Sequence, residues 1–298
     1  MIDVAICICT RRRQEGLKSL LESLNRLVVP SDTVVRVIVV ENDNEKRSEE
    51  IVMKISQRTG LRADYFLETK KGVVHARNRS VREAGDCDFC CFTDDDEVVG
   101  ETWLTELLRC QKEFDAGGVA GPTFPSFDRK VPSYIKKFHQ PKTAEYGAVV
   151  ESAFTGCLLL KKKYLDMVEG PFNSSLNFSG GEDSLLTKKI TSLGGVIRYN
   201  PAAIAYEMIP GSRATVRYVL REVFRTSNTE LSIKSLKDPD FTRSGALPRL
   251  ILRFGYGLLV VLPFFIFGKE DRLKGLIKIT NAIGGFAFIL GRQSRFYK

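Results

Sequence analysis

Histidine is nearly missing from this chain, with two residues in 298. The seven cysteines contain one pair at metal-ligand spacing, Cys87-x-x-Cys90, and no second ligand pair stands at a matching distance. That argues against a zinc site and for thiols packed as small hydrophobes. An odd cysteine count and an opening Met1-Ile2-Asp3-Val4 that runs straight into a strand-like segment, with no secretory leader, lead us to expect free thiols in a reducing compartment. No Gly-x-x-x-x-Gly-Lys-Ser/Thr stretch exists, which disfavours a P-loop enzyme, and there is no zinc-finger or RNA-binding signature. Long apolar runs are also absent. The longest, Phe254 to Gly268, carries Pro263 inside it. As a helix it would span roughly 22 Å, short of the roughly 30 Å of a bilayer's hydrocarbon core.

What is present is a chain that is 43% hydrophobic, with a net charge of +9. The length suits one large domain, or one domain plus an appendage. The positive balance points to an anionic partner: nucleic acid, a phosphorylated small molecule or an acidic membrane face.

Apolar and β-branched runs at Val4–Thr10, Val34–Val40 and Phe89–Phe92 read as buried strands, with a weaker strand in "ADYFLE". Helix-spaced segments separate them. Leucines 17, 20, 21, 24 and 27 share one face, and further helices are expected over about 48–57, 73–84 and 101–114. Strands alternating with helices predict an α/β sheet whose ligands bind beyond the carboxyl ends of the strands. Three groups stand at that rim: Thr10-Arg11-Arg12-Arg13, Glu41-Asn42-Asp43 and Asp94-Asp95-Asp96. Three adjacent carboxylates repel one another, and a divalent cation would offset that repulsion. A nucleoside diphosphate with its cation would use both the basic and the acidic groups.

Residues 121–147, with four prolines, read as a long loop, a candidate lid or acceptor wall, and 153–160 as a fifth strand. In "SGGEDSLL" a Gly-Gly turn leads into a helix beginning near Glu182-Asp183. Acidic residues there also suit plain first-turn capping. Trp103 reads as core or as lining of an acceptor groove, and His75 and His139 read as structural or surface residues. The apolar stretches 254–268 and 279–290 are flanked by Arg249, Arg253, Lys269, Arg272, Lys274, Lys278, Arg292, Arg295 and Lys298. Positive charge at both ends argues against crossing. We expect two membrane-dipping or interfacial helices on a cytoplasmic face. A soluble hairpin packed on the catalytic domain and a true span are the alternatives.

Taken together, "ICTRRR", "VVEND", "KKGVVHARNRSVREA", "FTDDDE", "SGGEDSLL" and "YEMIPGSRATVRYVLREVFRTSN" resemble the family 2 glycosyltransferases over roughly residues 3–230. The resemblance implies a GT-A type, Rossmann-like mixed α/β sheet flanked by helices over 1–230. A C-terminal hydrophobic helical appendage would occupy 231–298. It implies an inverting enzyme that moves a sugar from a nucleotide sugar, first a UDP-sugar, to a hydroxyl acceptor. Cell-envelope polysaccharide or glycolipid is the expected acceptor class. Thr10, Arg11, Glu41, Gly72, Arg77, Asn78, Asp94, Asp95 and Arg213 become candidate nucleotide contacts. Asp94 and Asp96, with Glu207, become candidate ligands of Mn²⁺ or Mg²⁺. Glu41 replaces the family's usual Asp, and Glu207 stands where the family often has His. Asp183 is expected as general base, with Glu182 orienting it or binding acceptor. The expected setting is the inner face of the cell membrane, peripheral or monotopic, with no nucleic acid partner. The competing readings are a metal-dependent nucleotidyl or phosphoryl transferase, and a non-catalytic basic, membrane-attached binding module.

Overall fold

The structure, a computed structural model, describes residues 1–237, 240–242, 244–261 and 268–292. Residues 262–267 of the long apolar run, including Pro263, and the basic Arg295 and Lys298 lie outside the described residues.

The strands are β1 (Ile2–Thr10), β2 (Thr33–Glu41), β3 (Ala63–Leu67), β4 (Phe89–Asp94), β5 (Glu97–Val99), β6 (Gly118–Ala120), β7 (Thr123–Phe127), β8 (Leu158–Lys161), β9 (Ile197–Tyr199) and β10 (Ala205–Ile209). The helices are α1 (Gln14–Leu24), α2 (Glu49–Thr59), α3 (Val73–Glu83), α4 (Trp103–Phe114), α5 (Ser133–His139), α6 (Lys162–Asp166), α7 (Glu182–Ser192), α8 (Val216–Lys237), α9 (Leu247–Val261) and α10 (Lys269–Ile289).

One seven-stranded sheet has the order β3-β2-β1-β4-β8-β6-β9, and a second of three strands runs β5-β10-β7. The large sheet is mixed: β2, β1 and β4 are parallel, whereas β8 is antiparallel to β4 and β6. Period-two alternation in β1 divides the core. Val4, Ile6 and Ile8 pack with the Leu17, Leu20, Leu21 stripe of α1 and with Trp103. Ala5 and Cys7 face the other way, toward Val74, Leu186 and Ile190 of α3 and α7. The seven thiols are free, and all but Cys9 are buried.

Two expectations need correction. The stretch 121–147 is not an uninterrupted loop, since it holds β7 and the seven-residue α5. Pro125 inside β7 and the Pro132 that precedes α5 hid both from a periodicity reading. The fifth strand begins at Leu158, because Thr155–Cys157 form a 3₁₀ turn. Gly156 sits there because a Cβ would fall 2.3 Å from the Glu97 carboxylate.

The chain forms two compact units. The first comprises Met1–Ser126, Pro141–Asn177 and Glu182–Met208; the second comprises Phe127–Gln140, Phe178–Gly181 and Ile209–Lys298. The expected boundary near residue 230 falls inside α8, which is tied to the tail. The Ser227 hydroxyl donates to the Asn281 carbonyl, and Gly284 lies against the Phe224 backbone. In the second unit His139 stacks on Tyr218 and meets Phe127 and Phe138 edge-on, a structural role.

Candidate active site

The acidic triplet stands where β4 ends, beside β1 in the sheet, with Asp94 paired in register with Cys9. Its three carboxylates go three different ways. Asp95 is buried and turns toward β1. It accepts from Thr10 Oγ1 (2.8 Å), the Arg11 amide (3.4 Å) and Arg13 Nη1 (2.8 Å). Burial pushes its pKa up to about 6, with Arg13 opposing and Asp96 adding to the rise. Asp96 meets Arg13 at 3.0 Å and is mostly covered. Asp94 is the open one, with 41% of its side chain exposed, and it takes Arg77 Nη2 at 3.2 Å. One arginine, Arg13, thus neutralises two of the three charges. Burial works to lower its pKa, but Asp95 and Asp96 hold it above the ordinary arginine value. Gly16 in α1 allows this packing, since a Cβ there would lie 2.4 Å from the Asp95 carbonyl.

Beneath the triplet lies Glu97, a fourth carboxylate. It accepts from Thr93 Oγ1 (2.7 Å) and the Asp94 amide (3.0 Å), so it pins the turn that presents Asp94. Burial, then Asp94, raises its pKa well above the glutamate range. Glu207 of β10 pairs in register with Glu97, and the next amide, Met208, donates to the Asp96 carbonyl (2.8 Å). The candidate cation ligand Glu207 is therefore brought alongside the acidic turn through its backbone.

Arg77 is the centre of the second corner. It projects from α3, is 7% exposed, and bridges Asp94 to Glu182 at the start of α7, with the Phe172 ring 5.7 Å from its guanidinium. Burial works to lower its pKa, but Glu182, Asp94 and Asp183 raise it. Glu182 is buried, one oxygen is held by Arg77, and the other, Oε2, has no hydrogen-bond partner among the described residues. Asp183 accepts the Ser184 amide (2.7 Å). Burial, then the Glu182 charge, pushes it up to about 7 against the pull of Arg77. The fold thus holds Glu182 as an anchored partner of Arg77. Asp183 is left near neutrality, able to take a proton at ordinary pH.

Other candidates are tied into the scaffold. Glu41 is fully buried. Its carboxylate accepts from the Arg47 and Ser48 amides, the Ser48 hydroxyl and the Tyr65 hydroxyl. Its oxygens are thus engaged within the protein. Asp43 lies two residues further on. It ion-pairs with Arg12 (2.6 Å), which with the Asn44 amide holds it down to about 2. Asn78 is likewise occupied, pairing both ends of its amide with the Phe172 backbone at 2.9 Å. Gly72 caps α3 at φ 125° with its amide on Asn42 Oδ1 (2.7 Å), and a Cβ would lie 2.0 Å from the Asn177 side chain. Arg213 belongs to the second unit, where its amide donates to the Pro210 carbonyl.

Sequence reasoning put Arg13 and Asn42 at the rim without giving either a role, and passed over Glu97 and Asn177. Glu97 had a signal, a fourth carboxylate directly after three others. Asn177 had none, because its partners Gly72, Lys71 and Val74 are about a hundred residues away.

Among the described residues, no three His, Cys, Asp or Glu side chains converge in a ready-made cation cage. The donor chemistry nevertheless suits a hard cation. Asp94 offers a partly exposed carboxylate and Asp96 stands two residues on. An ion that takes its other ligands from phosphate and water needs only one or two protein carboxylates.

Comparison with known proteins bears on this geometry. A family model described as "Glycosyl transferase family 2" matches residues 5–167. The succinoglycan biosynthesis protein ExoM of Rhizobium meliloti (strain 1021) is 30% identical over 237 residues, covering 76% of this chain and 74% of that protein. The mannosyltransferase PcManGT from Pyrobaculum calidifontis, solved with GDP-Man and Mn²⁺, superposes with a TM-score of 0.69 at 14% identity. The alignment covers 97% of this chain and 88% of that one. Residues 1–349 of S. aureus TarS, solved with UDP, give a TM-score of 0.55 at 14% identity over 99% of this chain and 93% of that one. These structural likenesses show the fold, which is of the GT-A type.

Proposed function

The chain belongs to glycosyl transferase family 2, and from that premise we propose that it moves a sugar from a nucleoside-diphosphate sugar, a UDP-sugar first, to a hydroxyl acceptor with inversion. Membership makes it a glycosyltransferase and sets aside the phosphoryl-transfer and binding-module readings. ExoM's name supports the choice of a polysaccharide, here of the cell envelope or a glycolipid, as acceptor.

One observation carries the reading. A single buried arginine, Arg77, joins the acidic strand end to the acidic helix start, and Asp183 beside it is pushed up to about 7. Inversion is a single displacement. The acceptor oxygen bonds to the anomeric carbon as the bond to the diphosphate oxygen breaks. The acceptor proton goes to a carboxylate. Asp183 is that carboxylate, while Glu182, fixed by Arg77, orients it or holds acceptor. Asp94 and Asp96 would hold the divalent cation, with Glu207 the third candidate. When bound, that cation neutralises charge on the departing diphosphate. Thr10 and Arg11 face the donor only from a strand end already committed to Asp95.

Transfer assays with UDP- and GDP-sugars, paired with nucleotide titrations, test this. Asp183→Asn should keep nucleotide binding and lose turnover, while Asp96→Ala should lose the cation-dependent part of binding. Equal loss of nucleotide affinity in both variants contradicts the assignment of roles.

A further inference from the structure

Within the second unit, α9 has two unlike faces. Leu250 and Gly257 are buried against α10. A Cβ on Gly257 would fall 2.8 Å from the Gly275 carbonyl and 2.6 Å from Ile279, so the backbones meet closely. Leu250 lies on Gly285, and Arg253 Nη1 reaches Asn281 Oδ1 at 2.5 Å. These contacts advance along α9 as they retreat along α10, so the two helices are antiparallel.

The opposite face is Pro248, Ile251, Leu252, Gly255, Tyr256 and Leu259. Their spacing of three, one, three, one and three residues places all six on one helical stripe. All are exposed, Leu252 to 74% and Leu259 to 70%. A contiguous outward apolar stripe is uncommon on a soluble surface and marks something that covers it.

Charge identifies the occupant. Residues 241–298 contain ten lysines and arginines and two acidic residues, Glu270 and Asp271. That segment accounts for +8 of the chain's +9. A segment this basic repels a second copy of itself and attracts an anionic surface. No helix among the described residues is long and apolar enough to cross a membrane. We propose that the outward face of α9 lies in the plane of an anionic phospholipid bilayer, with Ile251, Leu252, Tyr256 and Leu259 inserted at the headgroup boundary. The identity of the donor and acceptor plays no part in this inference.

The test is flotation of the full chain with phosphatidylcholine vesicles, with and without roughly a third phosphatidylglycerol. Wild type should float with the anionic vesicles. Leu252→Glu/Leu259→Glu should float at least about tenfold less, with an unchanged circular dichroism spectrum and UDP titration. Equal flotation of variant and wild type, or no preference of wild type for anionic vesicles, overturns the proposal. So does light scattering that shows a wild-type dimer and a variant monomer with equal vesicle binding. Should the double variant fold poorly, Tyr256→Trp supplies an independent reading. Its added emission should shift to the blue on anionic vesicles, and no shift overturns the proposal.

Discussion

The two units invert the ordinary distribution of polarity in opposite senses. In the first, Glu41, Arg77, Glu97 and Glu182 are ionisable side chains less than a tenth exposed. In the second, Ile251, Leu252, Tyr256 and Leu259 are apolar side chains more than half exposed. Buried charge survives only where partners compensate it, and exposed apolar area persists only where it is not selected against. Each inversion is local, and each lies beside well-packed structure: the β1–β2–β4 core in one case, the glycine-lined α9–α10 contact in the other. The difference between them concerns mechanism. Buried charges work by fixing one another and an exposed stripe works by being uncovered, so the same kind of substitution should have opposite consequences in the two places.

The largest effect is expected where buried charge does chemistry. Asp183→Asn should lower turnover by about a thousandfold, since a positioned base supplies a factor of that order. The wild-type pH profile should carry the matching limb. The active form is the carboxylate, so activity should rise with pH through about 7 and fall roughly tenfold per pH unit below it. A profile flat across that range would remove Asp183 from the role.

Next comes Arg77→Met, which leaves Glu182 and Asp94 facing each other without their cation. Unpairing a buried ion pair costs about 3–5 kcal/mol, so chemical denaturation should report a loss of that size. A variant as stable as wild type would mean that the two corners do not depend on Arg77.

Glu97 sharpens the comparison further. Glu97→Ala should cost about 2–3 kcal/mol through the lost acceptor and the cavity. Glu97→Gln should cost far less, because burial already disfavours the charged form. The sign is fixed by the direction of the shift. A carboxyl raised in the fold contributes full stability at acid pH and loses it as pH climbs above the unfolded glutamate value. Glu97→Gln should flatten that decline in melting temperature, and an unchanged decline would contradict the assignment.

Smaller still is Gly72→Ala, which forces a side chain into φ 125° against Asn177 and should cost about 1–3 kcal/mol of strain. At the bottom stands Leu252→Glu/Leu259→Glu, which changes two side chains that are 74% and 70% exposed and should shift stability by no more than about 0.5 kcal/mol.

The sheet was readable because β1, β2 and β4 are largely apolar runs between turn residues, broken in β2 by Arg36, and the α1 leucines mark one face unambiguously. The rim was readable because those strands end on charged groups. The direction each carboxylate takes was not. Asp94, Asp95 and Asp96 are indistinguishable as letters and become different only when Arg13 and Arg77 arrive from other elements. Glu41 shows the same limit, since only the fold reveals that Ser48 and Tyr65 saturate it. The outward face of α9 was hidden for another reason. A helix that is apolar apart from Arg249 and Arg253 does not declare which side meets its neighbour until Gly257 is seen against Gly275.

The most direct test of the division of labour in the acidic site is calorimetric titration of UDP, with and without Mn²⁺, on wild type, Asp96→Ala and Asp183→Asn. Cation-dependent binding that disappears in Asp96→Ala and persists in Asp183→Asn is the predicted result. Binding lost equally in both variants, or insensitive to the cation in wild type, would contradict it.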